Sequence, residues 1–555
     1  MRLVLAIVLT MFTAITTASA DRIRGKDLAL RSTGSAAGDA WKLDRTGYVG
    51  TYVRLDTPGK VTVKVDASAA AGAKMNIVIA DESVEAASHT FDLPAGTWFV
   101  RVELTGAPAK SNRSVTIRSI DVSGGATVLN EHGNENALAA ADSYVEHFRR
   151  GRATVKLPGD VRAGTEVRVK LKRHTFWFGT AVAGFEKSEL LARDPAPGSD
   201  AARYQDVIRK HFNAIVPGNA GKWVYNEKDR DVVTMEGIDR VLAFARENNL
   251  RARMHTMLWD TGQQPQWVQD LLKRAADGDA SAKKELRDQI SERVRYYVRD
   301  RAKGYGELDV LNEVYHQPRY LNVFGVEGIA DIYAEVGRAV EEAGADTKLY
   351  VNEFNVFQWS QLPEPFGKKD QWDPYANWLR EHAEALRAAG AAVDGIGAQY
   401  YVDPDPAKAQ PHSAARIFGA LQNLSVGGWR ITLTEFGAKT GADESLTTDS
   451  LEHTMRLVFG TPNATGFMMW GIWETEMWDK ALGSAFYTQA WQPRQPAQRW
   501  ESLMRRWGTD VTVPVKGDGT IAFTGFYGDY EITVGGKTYS LTLAKGKTDY
   551  AVEGR

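Results

Sequence analysis

The stretch "LDVLNEVYHQ" (Leu308–Gln317) opens as a buried strand and closes on groups that no strand needs. Leu308, Val310 and Leu311 are apolar, and Asn312 and Glu313 stand side by side where the apolar run stops. "RITLTEFG" (Arg430–Gly437) repeats the form, with Glu435 closing an Ile/Leu/Thr run. Outward from these two stretches, apolar strands alternate with amphipathic helices. "TFWFGTAV", "FNAIVPGN", "ARMHTMLW", "LDVLNEVY", "KLYVNEFN", "GIGAQYY", "ITLTEFG" and "GFMMWGIW" read as strands. "GIDRVLAFARENN", "KELRDQISERVRYYVRDRA" and "ADIYAEVGRAVEEAG" read as helices between them. Such alternation predicts a parallel sheet, and eight strands is the number that closes a (β/α)8 barrel. An open doubly wound sheet is the rival, and it lacks its Gly-rich phosphate loop here.

In a barrel the C-terminal strand ends form the active-site face, where polar residues are more often chemical than structural. His255, Asn312, Glu313, Glu353, Gln399, Glu435 and Trp470 all fall at such ends. One of them alone reads as a buried, satisfied polar group. Seven converging from six strands predict a site. Two carboxylates across a cleft, without a metal-ligand cluster, suit glycosidic bond cleavage. One is protonated to assist the leaving oxygen, and the other is ionised to attack or to activate water. Trp223, Trp259, Trp470 and Trp478 near the mouth can stack on sugar faces, with core packing the alternative for each. Glu353 also follows an Asn at a strand end, so the residues alone leave Glu313 and Glu353 both open as the acid.

A chain of 555 residues calls for two or three domains. Lys and Arg number 68 against 70 Asp and Glu, a net charge of -2, which argues against nucleic acid or an anionic membrane as the partner. The absence of Cys rules out a disulfide framework, a thiolate nucleophile and a Cys-ligated metal, and no cofactor or metal is expected. "MRLVLAIVLTMFTAITTASA" has Arg2 at its start, an apolar run from Leu3 to Ile15, and Ala18-Ser19-Ala20 as a cleavage site. Residues 1–20 therefore read as a signal peptide, its apolar run too short to span a bilayer. A secreted or periplasmic protein, free of the membrane after cleavage, is the expectation.

Residues 21–125 show short alternating strands ("TYVRL", "VTVKV", "MNIVIA", "TWFVRVEL", "SVTIRSIDV") and predict an antiparallel β-sandwich. Trp41, Tyr52 and Trp98 there read either as a carbohydrate-binding face or as packing between the sheets. Residues 126–174 read as a linker, a short helix and a strand pair, 175–508 as the barrel, and 509–555 as a small C-terminal all-β appendix.

Ordered motifs in the central region resemble those of the family 10 glycoside hydrolases, typified by endo-1,4-β-xylanases, over roughly Thr175 to Gly508. "HTMLW" (His255–Trp259) is similar to the family's HTLxW, "VLNE" (Val310–Glu313) to VxNE, and "VNEFN" (Val351–Asn355) to NDYN. "DGIGAQ" (Asp394–Gln399) is similar to DGIGLQ, "LTE" (Leu433–Glu435) to the nucleophile motif, and "WGIWETEMW" (Trp470–Trp478) to WGxxDxxSW. The resemblance implies Glu313 as acid/base, Glu435 as nucleophile, a retaining double displacement, and a supporting role for Glu353. It also implies that Asn219, Lys222, His255, Trp259, Asn312, Gln399, Tyr401, Trp470 and Trp478 grip the sugars, with xylan-type polysaccharide as the substrate.

Three departures bear on the sugar. Gly218 in "GNAGKW" stands where xylanases have a Glu, Asp260 replaces a His, and Tyr401 replaces the His after the Gln. The alternatives are a family relative acting on another β-linked glycan or glycoside, and, in a different class, a catalytically inactive carbohydrate-binding protein.

Overall fold

In the computed structural model each apolar run of the central region becomes a strand, and those that carry Gln399 and Glu435 continue three residues past them, to Val402 and Ala438. The structure describes residues 20–108, 111–159, 161–183, 189–358, 373–403, 412–439, 444–479 and 483–552. The signal peptide expected over 1–20 therefore lies, except for Ala20, outside the described residues. Among the described residues no helix is long and apolar enough to cross a membrane.

The central strands are β1 (Trp177–Val182), β2 (Ala214–Pro217), β3 (Arg251–Met254) and β4 (Glu307–Asn312), then β5 (Lys348–Glu353), β6 (Gly395–Val402), β7 (Arg430–Ala438) and β8 (Ala464–Met469). Each pairs in parallel with the next, β3 meets β4 at Arg253 and Glu307, and β8 meets β1 at Gly466 and Trp177. The sheet is closed, and the expected (β/α)8 barrel is present. A two-residue strand, Leu258–Trp259, extends the third position and pairs with Leu311 and Asn312 of β4.

Fully buried Ile215, Val216, Leu308, Val310, Ile396 and Leu433 form part of its core. The helix Glu236–Glu247 shows why the crossovers cover it. Ile238, Val241, Leu242 and Ala245 recur at the spacing that puts them on one face, and all four are buried.

Ahead of the barrel lie two antiparallel sheets. Val115–Ser123 and Gly59–Ala69 are paired in one, and Gly47–Leu55 and Gly96–Thr105 in the other. Val49, Val53, Ile77, Val100, Val102, Ile117 and Ile120 fill the space between them. Trp41, Tyr52 and Trp98 are 5 %, 0 % and 2 % exposed, which removes them as a carbohydrate-binding face. Trp41 donates its indole N–H to the Thr33 carbonyl, Trp98 donates to the Pro94 carbonyl, and Tyr52 packs against Phe99 and the barrel residue Phe418.

The sandwich rests on the outer wall of the barrel. Tyr48 donates to the Gly419 carbonyl, Arg101 to Gln422, Arg380 to the Thr46 carbonyl and Asn377 to the Ser32 carbonyl. The acceptor or donor on the barrel side belongs each time to the helices Pro374–Ala388 and Ala414–Leu424.

The strand pair and the C-terminal hairpins, separate in the sequence reading, share their sheets. Arg150–Lys156 pairs with Thr520–Phe526 and Asp549–Ala551, while Glu166–His174 pairs with Asp510–Pro514 and Gly528–Val534. Ala153, Val155, Val167 and Val169 bury against Ile521, Phe523, Ile532 and Leu541 in one cluster. Neither half alone covers its apolar face.

Candidate active site

Glu313 follows the last residue of β4 with φ of +55°, in the left-handed region where a non-glycine residue is uncommon. Its backbone N–H donates to the Asn352 carbonyl at 2.8 Å, which pins the turn to β5. The carboxylate accepts from Gln399 Nε2 at 2.9 Å on Oε1 and from Trp259 Nε1 at 2.8 Å on Oε2. Burial pushes Glu313 up to about 7; the charge of Glu353 adds to the shift, and the donors on its oxygens oppose it.

Glu435 lies in β7, paired with Gln399 of β6. Gln399 thus borders one carboxylate and donates to the other. Tyr401 Oη donates to Glu435 Oε2 at 2.5 Å, and His255 Nε2 stands 4.0 Å from Oε1. Burial pushes Glu435 well above the usual carboxylate range and the charge of Glu313 adds to this, whereas the Tyr401 hydroxyl and the Lys222 ammonium act against it.

The other sequence-predicted residues gather around this pair. Lys222 is held by Asn219 Oδ1 at 2.8 Å, with Nζ 5.0 Å from the Trp259 ring centroid. Burial lowers it to about 8 against the attraction of both glutamates. The His255 ring meets Trp470 edge-on at 5.3 Å. Asn312 accepts from Asn352 Nδ2 at 2.8 Å, and its amide also lowers Glu313. Trp478 is 59 % exposed and stands edge-on to Tyr401 at 5.8 Å. Trp223 is buried and donates to Glu227, so for this residue the packing alternative holds.

Glu353 is also buried, but its carboxylate is engaged elsewhere. It accepts from the N–H of Tyr315 at 2.8 Å, the N–H of Phe354 at 2.9 Å and His316 Nδ1 at 2.7 Å. Of the two Asn-Glu pairs left open by the sequence, only that of β4 shares Gln399 with Glu435. Among the described residues no group of three or more His, Asp or Glu could hold a metal ion.

The model of the family described as Glycosyl hydrolase family 10 matches residues 180–499. The chain belongs to glycosyl hydrolase family 10. Its relatives include the anti-sigma-I factor RsgI6 of Acetivibrio thermocellus, 28 % identical over 419 residues that cover 73 % of this chain and 48 % of that protein. Endo-1,4-beta-xylanase 1 of Arabidopsis thaliana is 24 % identical over 376 residues, covering 67 % of this chain and 35 % of that one. The chain thus spans no more than about half the length of these two relatives. Among solved structures, native xylanase 10B from Thermotoga maritima is 20 % identical, with a TM-score of 0.47 over 60 % of this chain and 95 % of that chain.

The family 10 site rests on residues that sequence reasoning passed over. Asp309 accepts from His255 Nδ1 at 3.0 Å and is bonded to Arg253, which also donates to Glu307 at 2.6 Å. All three charged groups are fully or almost fully buried inside the barrel. They fix the His255 ring from behind, as partners of a site ligand do. Their signal was a charge inside each of two apolar strands, Arg253 in "ARMH" and Asp309 in "LDVL".

The departures also find their places. Asp260 pairs with Arg319, whose Nε donates at 2.9 Å, so the new charge is neutralised locally. Tyr401 supplies the hydrogen bond to Glu435. Gly218 leaves a position where an added Cβ would stand 3.3 Å from the Val182 carbonyl oxygen.

Proposed function

We propose that the chain is a secreted, retaining glycoside hydrolase that cleaves β-1,4-linked, xylan-type polysaccharide by double displacement. The observation that carries this reading is the unlike company kept by two buried carboxyl groups at one barrel mouth. Glu435 has a hydroxyl donor and an ammonium for neighbours, which favour its ionised form. Glu313 has two neutral N–H donors and the anionic Glu353, which leave it the better holder of a proton. Burial raises both, and two such groups share protons as a pair; the Tyr401 and Lys222 donors beside Glu435 and the Glu353 charge beside Glu313 support reading Glu313 as the acid.

In the first step Glu313 gives that proton to the glycosidic oxygen, and Glu435 attacks the anomeric carbon through Oε1, since Oε2 holds the Tyr401 hydrogen bond. The bond to the leaving sugar breaks, the sugar departs as an alcohol, and an ester links the glycone to Glu435. In the second step ionised Glu313 takes a proton from water. The hydroxide so formed attacks the anomeric carbon, and the ester bond breaks back to the Glu435 carboxylate. A separation of about 5–5.5 Å between the carboxyl groups belongs to this mechanism, against roughly 6.5–9.5 Å for inversion.

Proton NMR of the anomeric signal during the first minutes of xylan hydrolysis tests the reading. The β product is expected first, and E435Q is expected to release no reducing ends. An α product appearing first would refute double displacement even if both glutamates proved essential. No release by the wild type would leave the inactive binding protein standing.

A further inference from the structure

We propose that Trp478 is a positioning residue for Glu435, reaching it through Tyr401 in a relay of two hydrogen bonds that runs from an exposed ring to the buried carboxylate. The inference rests on the hydrolase reading above and deepens it by naming what holds the attacking group.

The inner link is the Tyr401 hydroxyl, which donates to Glu435 Oε2 at 2.5 Å. The pairing of β6 with β7 brings it there, since Gln399 stands opposite Glu435 and Tyr401 opposite Gly437. Gln399 and Tyr401 lie two residues apart and so share a face of their strand. One strand thus serves both carboxylates, Gln399 donating to Glu313 and Tyr401 to Glu435.

The outer link is the Trp478 indole. Its ring stands edge-on to Tyr401, with centroids 5.8 Å apart and planes at 89°, and its N–H serves the Tyr401 hydroxyl as a hydrogen-bond donor. A hydroxyl that accepts from one neighbour donates more strongly to the next, because hydrogen bonds in a chain polarise one another. Trp478 is exposed, but it is not loose. Lys439 Nζ lies 5.2 Å from its ring centroid and is tied to Asp479 Oδ2 at 2.8 Å. The Lys439 backbone N–H donates to the Val402 carbonyl at 2.6 Å, which fixes it to the end of β6.

The replacement of a histidine by Tyr401 suits this role. Burial, and then the charge of Glu435, push the Tyr401 hydroxyl well above its ordinary value, so it keeps its proton at every working pH. A histidine titrates near pH 6.5 and would change charge within that range.

The test separates the indole N–H from the indole face. W478F keeps an aromatic face and loses the outer link, whereas Y401F loses both links. The Tyr401 donor favours ionised Glu435, so Y401F is expected to raise the acid limb of the kcat/KM profile on xylan by about one pH unit. W478F is expected to raise it by about 0.3 unit, the outer bond strengthening the inner one by roughly 10–30 %. Added to Y401F, W478F is expected to move the limb no further. The other charged or titratable groups that act on Glu435, namely Glu313, Lys222, Asp309 and His255, are the same in all three variants. A W478F enzyme with a raised KM and an unmoved limb would overturn the proposal, and so would an equal shift with and without the Tyr401 hydroxyl.

Melting temperatures read the same relay without turnover, which keeps a failure of the hydrolase reading apart from a failure of this one. Burial raises Glu435, so the stability it contributes is complete below the unfolded value near 4.5 and is lost as pH rises. Removing a donor to the ionised form enlarges that loss. Y401F, and W478F to a smaller extent, are therefore expected to melt further below the wild type at pH 8 than at pH 4.5. In an E435Q background, with no charge to hold, that difference between the two buffers should vanish. A gap that did not change with pH would overturn the relay whether or not the chain cleaves xylan.

Discussion

Glu313 is raised by burial and by the neighbouring Glu353 charge, and two measurable consequences follow at the scale of single residues. The first concerns rate. E313Q and E435Q remove the proposed proton donor and the proposed nucleophile, and turnover is expected to fall by at least the roughly 10²–10⁴-fold typical of a lost acid/base. E353Q leaves both in place and is expected to be milder. Removing the Glu353 charge lowers Glu313, so the alkaline limb of the kcat/KM profile, expected near pH 7 in the wild type, should move to lower pH. An unmoved limb in E353Q would mean that Glu353 does not set the acid. The second concerns stability. With its folded value near 7 against 4.5 for an ordinary glutamate, Glu313 keeps a proton in the folded chain that the unfolded chain loses first. Stability from this group is complete below the unfolded value and is lost as pH rises towards 7, by on the order of 3 kcal/mol. E313Q never carries that charge. Its melting temperature is therefore expected to exceed that of the wild type at pH 8, with the gap closing as the buffer approaches pH 4.5. A lower melting temperature for E313Q at pH 8 would contradict the burial account.

At the scale of elements, the sequence was most legible where a signal is local and periodic. The end of β4 announces itself where an apolar run meets Asn312-Glu313, and the helix Glu236–Glu247 where apolar residues recur at three and four, whereas β7 runs past Glu435 to Ala438, a boundary the apolar run did not mark. Partnership at long range leaves no such trace. Arg150–Lys156 alternates as any strand does, and nothing in it names Thr520–Phe526 as its neighbour. The inward charges Arg253, Glu307 and Asp309 were missed for a related reason, because each looks like an error in an apolar strand until the others stand beside it. The shared sheets make removal of the appendix costly. Ending the chain after Gly508 strips the partners from Glu166–His174 and uncovers Val155, Val167 and Val169. Lower soluble yield and increased binding of a hydrophobic dye are the expected results. A truncated protein that melts with the full-length chain would show that the strand pair stands without its partners.

At the scale of the whole molecule, the barrel and its site could be read from motifs, but the attachment of the sandwich could not, since it depends on which of many aromatic residues face outward. Tyr48 and Tyr52 look like strand residues of any sandwich, yet one bonds to Gly419 and the other packs on Phe418 of the barrel. The sandwich therefore acts as part of the barrel wall. Its deletion, residues 21–125, leaves Arg380, which is fully buried, without the Thr46 carbonyl and opens the apolar side of Phe418 to water. Both losses destabilise, the first by one hydrogen bond of Arg380, which keeps its bond to Asn423. Neither loss touches the mouth. The contacts fall on the helices Pro374–Ala388 and Ala414–Leu424, whereas Glu313 and Glu435 draw their hydrogen bonds from Trp259, Gln399 and Tyr401. The deletion variant is thus expected to melt at a lower temperature while keeping kcat on a small soluble xyloside within about twofold, assayed well below its melting point, a change under 0.5 kcal/mol in barrier. Calorimetry and initial rates on the same preparation decide it. A folded variant that lost its small-substrate activity would place the sandwich in the working of the cleft, and an unchanged melting temperature would show that the wall stands without it.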